Sequence, residues 1–146
     1  MNGESYFHVG LIVPKLEPAL AELTAVVGLT WRDTFEGEVP MHVTGRGEQL
    51  VPLRFAYSRE APYLEVIEGV PGTPWEFSEH GSNLHHLGFS VDDVASESER
   101  MAGAFCPVEV CGVGPGGEWP VTFSFHQRDG LRIELVDRAI RTIMFR

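Results

Sequence analysis

No apolar run in this chain approaches the roughly 20 residues that a membrane-spanning helix requires, so no membrane partner is expected. Its start, Met1-Asn2-Gly3-Glu4-Ser5, has neither a basic segment nor an apolar segment, and a signal peptide is not expected there. Basic residues are scarce: 11 Lys and Arg stand against 21 Asp and Glu, a net charge of −10. Phosphate backbones need a basic footprint, so nucleic acid is excluded as the main partner. Cysteine is nearly absent. Cys106 and Cys111 form neither a C-x-x-C pair nor a disulfide framework, and they read as reduced thiols in a cytoplasmic protein.

What the chain does have is an internal repeat. Phe7-His8-Val9-Gly10-Leu11-Ile12-Val13 and His85-His86-Leu87-Gly88-Phe89-Ser90-Val91 share an order of residue types: a His, a Gly two residues on, and a closing Val. A second pair follows the first. Tyr63-Leu64-Glu65-Val66-Ile67-Glu68 and Arg132-Ile133-Glu134-Leu135-Val136-Asp137 both read as strands with a central carboxylate. Two His and two Glu at matched places make a metal site the leading reading.

Strand alternation supports that reading. Phe7, Val9, Leu11 and Val13 share one face, and His8, Gly10 and Ile12 the other. In the second copy His86 and Gly88 lie opposite Leu87, Phe89 and Val91, with His85 a polar mismatch expected at the rim. The apolar faces belong against helices, so His8 and His86 point into a cavity. Glu65 and Glu134 sit among apolar neighbours, and an unpaired buried carboxylate costs several kcal/mol. A divalent cation is the simplest partner. An N2O2 ligand set with places left for water suits Zn, Mn, Fe, Co or Ni.

The patterning predicts strands at 6–13, 29–35, 39–44, 50–57 and 62–68 and a helix at 15–27, with Glu36-Gly37-Glu38 as a turn and Gly28 as the helix C-cap. The second copy predicts strands at 84–91, 107–112, 120–127 and 131–137, and a helix at 93–103 entered at Asp92-Asp93. Hence an α+β fold is expected: two β-α-β-β-β modules, 5–68 and 84–137, forming a curved mixed sheet around a metal-binding cleft. Residues 69–83, rich in Gly and Pro, are the linker. Residues 138–146 form a tail of undecided structure.

The segments Phe7-His8-Val9-Gly10-Leu11, Tyr63-Leu64-Glu65-Val66-Ile67, His86-Leu87-Gly88-Phe89 with Asp92-Asp93, and Asp129-Gly130-Leu131-Arg132-Ile133-Glu134-Leu135 resemble the vicinal oxygen chelate superfamily, also called the glyoxalase/bleomycin-resistance/dioxygenase superfamily. The resemblance runs from about Tyr6 to Asp137. It implies one metal ion held by a His and a carboxylate or amide from each module, here His8, Glu65, His86 and Glu134. The pattern is closest to glyoxalase I and methylmalonyl-CoA epimerase. It implies a metal-dependent lyase, isomerase or epimerase that acts on a small carbonyl compound through a metal-stabilised enediolate. Glu65 and Glu134 are the candidate catalytic carboxylates, and Glu65 is preferred as the base because relatives vary between Glu and Gln there. Two other readings stay open: a metal-free binding or resistance protein, and an Fe(II) extradiol-type dioxygenase. A homodimer is implied by the same analogy.

Further cavity residues are predicted from parity. If the last hairpin has the family's usual turn, Thr122, Ser124 and His126 share the face of Glu134. Tyr57 and Phe55 are their first-module counterparts. Tyr57, Ser124 and His126 are therefore the expected substrate-binding residues. Trp75 and Trp119 read as buried anchors of loops, and Glu48 and His42 as weaker acid–base candidates. Arg54, Arg59, Arg128 and Arg132 are the cations placed to meet an anionic substrate, and a neutral or aromatic one is as well suited to the acidic chain.

Overall fold

A computed structural model describes residues 1–145. Its elements run β1 (Tyr6–Val13), α1 (Leu16–Val27), β2 (Phe35–Val43), β3 (Gly47–Tyr57), β4 (Tyr63–Glu68), β5 (Leu84–Val91), α2 (Val94–Gly103), β6 (Val108–Gly112), β7 (Val121–Arg128), β8 (Leu131–Asp137) and α3 (Arg138–Met144). A 3-10 turn at Gly3–Ser5 precedes them. The fold is α+β, and the order β-α-β-β-β occurs twice, as the repeat requires. The strands form a mixed sheet in the order β1-β4-β3-β2-β6-β7-β8-β5. The first strand of each module pairs in parallel with the last, β1 with β4 and β5 with β8. Among the described residues no helix is long and apolar enough to cross a membrane.

Two units are distinguished. One comprises His8–Glu38 and Val51–His85, and the other Met1–Phe7, Val39–Leu50 and His86–Arg146. In the first, Val13, Leu16 and Val66 form a buried core with Leu11, Leu64, Ala19, Leu20, Leu23 and Trp31 packed against it. Leu11, Val13, Leu64 and Val66 thus turn to α1, as alternation dictates, and the opposite face keeps His8, Gly10 and Glu65. The helix ends at Gly28 in the left-handed region, where its N–H bonds to the Thr24 carbonyl at 3.0 Å. Its last turn carries Val26 and Val27 out to solvent, beyond the core.

In the second unit Val91, Val94, Met101, Ile133 and Leu135 form the core between β5, β8 and α2, with Phe89 and Cys106 against it. Asp93 caps α2, its carboxylate accepting from the Ser96 N–H at 3.0 Å. That bond and the Ser96 hydroxyl hold the Asp93 pKa below the usual carboxylate range.

Two expectations change. Residues 29–34 are not a strand, although Trp31 makes an isolated bridge to Ser58. The reason is that the Trp31 side chain serves the α1 core instead: its indole N–H lies 3.2 Å from the Leu20 carbonyl and 3.0 Å from the Thr24 hydroxyl. Glu36-Gly37-Glu38 lies inside β2 rather than in a turn. The tail is helical as α3, with Asp137 capping it through the Ala139 N–H at 2.7 Å.

Candidate metal centre

Each module builds the same pair of side chains by the same means. On β1, Gly10 is paired with Glu65 of β4, and His8 lies two residues earlier on the same face. His8 Nε2 reaches Glu65 Oε2 at 3.3 Å. On β5, Gly88 is paired with Glu134 of β8, and His86 lies two residues earlier. His86 Nε2 reaches Glu134 Oε2 at 3.1 Å. All four residues are buried, with both His side chains fully so.

An aromatic ring backs each pair. Tyr57 is paired with Glu65 across β3 and β4, and its ring meets His8 edge-on at 5.2 Å and 87°. Phe125 is paired with Glu134 across β7 and β8, and its ring meets His86 at 5.0 Å and 87°. Edge-to-face rings fix the imidazole planes and fill the space beside them. Phe125 was not among the sequence candidates.

His8, Glu65, His86 and Glu134 belong to one buried group that can hold a metal ion. The donor set fits a divalent cation. Two carboxylates supply two negative charges, and two neutral imidazoles supply borderline nitrogen donors, which together suit first-row transition metals and zinc. A divalent cation would balance the charge of the two buried carboxylates beside the two imidazoles.

Ser124 and His126 lie elsewhere. The β7–β8 hairpin turns in two residues, Asp129 and Gly130, both at positive φ (51° and 82°). That is a type I′ turn, and it pairs Arg128 with Leu131. Counting back, Phe125 rather than His126 falls opposite Glu134, and Ser124 and His126 fall opposite Leu135 and Ile133. They therefore face α2. There they form a buried network. His126 Nδ1 donates to the Cys106 carbonyl at 2.7 Å, which leaves Nε2 to accept from the Ser98 hydroxyl at 2.7 Å. Ser124 Oγ closes the network at 3.0 Å from Ser98 and 3.1 Å from His126. Burial lowers the His126 pKa, against the opposing effect of the Cys106 bond, so the ring is neutral. Thr122 stands at positive φ beside a break in the β6–β7 register. The same burial pushes the Cys111 thiol up to about 11.

The remaining candidates also find their places. Glu48 is exposed on β3. His42 stacks on Trp119 at 4.1 Å and 8°, and Trp119 is half exposed rather than a buried anchor. Trp75 is a buried anchor, and His85 beside it donates Nε2–H to the Pro74 carbonyl at 2.6 Å. His85 is thus not a rim residue but a fastening for the segment at Pro74. Arg54 is bound by Glu17, Glu36 and Glu68, Arg132 by both oxygens of Glu109, Arg128 by Asp129, and Arg59 by the Trp31 carbonyl.

The model of the Glyoxalase/Bleomycin resistance protein/Dioxygenase superfamily matches residues 7–125. Among solved structures, a variant of the Streptomyces coelicolor methylmalonyl-CoA epimerase in complex with 2-nitronate-propionyl-CoA is similar, at a TM-score of 0.65 and 18% identity over 92% of this chain and 97% of that one. Methylmalonyl-CoA epimerase from Mycobacterium tuberculosis gives a TM-score of 0.61 and 17% identity, covering 95% and 91%. A hypothetical protein from Bacillus halodurans gives 0.61 and 13%, covering 90% and 92%. At these identities the likeness is one of fold. No curated protein matches the chain.

Proposed function

Because the chain belongs to the glyoxalase/bleomycin resistance protein/dioxygenase superfamily, we propose that it is a divalent-metal-dependent isomerase or epimerase of a small carbonyl compound. The observation that carries the proposal is that the ligand atoms of His8, Glu65, His86 and Glu134 all lie within 4.8 Å of one another. In this reading the four hold one ion. When bound, the ion supplies Lewis-acid stabilisation of the negative charge that develops on a carbonyl oxygen.

The chain's own residues do the rest. Glu65 accepts a proton from the carbon next to the carbonyl, so that a C–H bond breaks, an O–H bond forms on Glu65, and the electron pair moves to the oxygen. Return of the proton to the same face of that carbon restores the substrate. A proton delivered to the opposite face by a second acid, for which Glu134 is the candidate, inverts the configuration, and transfer to the neighbouring carbon isomerises the compound. Tyr57 and Phe125 hold the imidazoles edge-on and exclude water beside them.

The test is solvent deuterium exchange into a panel of α-hydroxy ketones, 2-oxo thioesters and related acids, with wild type and Glu65→Gln. Metal-dependent exchange next to a carbonyl, slowed about 100-fold or more in the variant with its metal content intact, supports the role. Exchange at the wild-type rate in Glu65→Gln removes Glu65 as the base. Absence of exchange with every compound, joined to ligand binding that survives chelation, favours a metal-free binding protein.

A further inference from the structure

The arginines that would greet an anionic substrate are engaged, which leaves the substrate's remainder to be recognised by something else. One feature of the unit that holds His8 and Glu65 has that capacity. Four rings stand in sequence on one sheet face. Phe35 of β2 stacks on Phe55 of β3 at 4.8 Å and 18°. Phe55 meets Tyr57 at 5.8 Å and 84°, and Tyr57 meets His8 at 5.2 Å and 87°. Phe55 and Tyr57 are opposite Ile67 and Glu65 in register, so the row occupies the face that carries the candidate ligands.

The row is graded in exposure. Phe35 is 42% exposed, Phe55 is half-buried, Tyr57 is 5% exposed and His8 is closed to solvent. The open part of the Phe35 ring is apolar surface that a ligand ring can still bury. The sequence also makes room for it. Phe35 folds back along its own strand over Gly37, where a Cβ would lie 3.2 Å from the ring's Cζ. A side chain at Gly37 would need the ring to shift by a few tenths of an ångström. The second module repeats the inner part of this row. Phe123 meets Phe125 at 5.9 Å and 71°, with Phe125 against His86.

Charge narrows the occupant. The chain carries −10, and Arg54, Arg128 and Arg132 are already paired with carboxylates. A phosphate or carboxylate tail finds no uncommitted partner in those three guanidinium groups and meets long-range repulsion. We propose that Phe35 and Phe55 bind a neutral aromatic ring of the substrate and that Tyr57 passes its carbonyl end to His8 and Glu65. The substrate class is an uncharged aryl carbonyl compound. This rests on the metal-dependent reading above for the carbonyl end alone.

The experiment uses the full chain loaded with metal and isothermal titration of three probes: 2-hydroxyacetophenone, hydroxyacetone, which has the same head without the ring, and propionyl-CoA. The wild type is expected to prefer the aryl ketone to hydroxyacetone by about tenfold, with no competition from propionyl-CoA. In Phe55→Leu and in Phe35→Ala that preference falls to about twofold or less, while metal stoichiometry stays unchanged. A wild-type preference near unity, a preference that both variants retain, or tight binding of propionyl-CoA at the same site overturns the proposal. A purely structural role for the two rings would lower Tm and leave the ratio between the two ketones unmoved, which also overturns it. If both ketones keep their affinity after chelation, and the ratio and its loss in the variants persist, the aromatic track stands and the metal-dependent reading falls.

Discussion

At the scale of single residues the molecule separates two kinds of buried histidine. His8 and His86 face carboxylates at 3.3 and 3.1 Å, whereas His126 faces two hydroxyls and a carbonyl. The first kind belongs to the candidate ligand set, and the second fastens β7 to α2. His126→Ala would leave the Cys106 carbonyl and the Ser98 and Ser124 hydroxyls without their ring partner, beside a new cavity. A loss of about 2–4 kcal/mol is expected in urea unfolding, with metal binding retained. The pH dependence follows from the lowered pKa. The unfolded ring takes a proton near 6.5 and the folded one only at lower pH. The contribution of neutral His126 is therefore complete above that value and declines as pH falls below it. Urea midpoints at pH 7.5 and 5.5 should converge in His126→Gln relative to wild type. An equal drop in both proteins would show that other groups govern that range.

At the scale of elements, the start of α1 depends on a distant strand. Lys15 stands at its N-cap position without a side-chain cap, and Glu68 of β4 accepts from the Leu16 N–H at 2.9 Å instead. The same carboxylate oxygen accepts from Arg54 at 2.9 Å. Glu68→Ala removes both, and a loss of about 1 kcal/mol is expected, within the range of a lost N-cap. Calorimetric unfolding checks it, and an unchanged Tm would refute the cap's role.

The elements also show what could be read in advance. The two His strands, the two Glu strands and the helices α1 and α2 were legible because burial on one face imposes alternation and a repeat doubles the signal. The place of Ser124 and His126 was misjudged by one residue of register. The Asp129-Gly130 pair carried the information, since Asp-Gly is the strongest sign of a two-residue turn. Reading it would have put Phe125 opposite Glu134. Residues 29–34 have β-forming composition, yet tertiary packing of Trp31 on α1 overrides it. The tail's helix depends on the Asp137 cap, which local patterning alone left undecided.

At the scale of the whole molecule, the −10 charge and the internal pairing of Arg54, Arg128 and Arg132 favour uncharged ligands. Ligation by four side chains drawn from β1, β4, β5 and β8 would also couple metal to folding. Thermal unfolding of the holoprotein should rise on metal addition and fall on chelation, by about 4 kcal/mol at an ion concentration 1,000 times Kd. An unfolding temperature indifferent to both would argue that the four residues hold no ion.

The central claim is that the two His–Glu pairs serve one ion in common, and a metal titration tests it most directly. Wild type should take up one divalent ion per chain. His8→Ala and His86→Ala should each lose it almost wholly, beyond the roughly 10–100-fold cost of losing a supporting residue. Circular dichroism should confirm that both variants remain folded. Uptake of no ion by wild type, or one variant keeping wild-type affinity while the other loses it, would contradict the account.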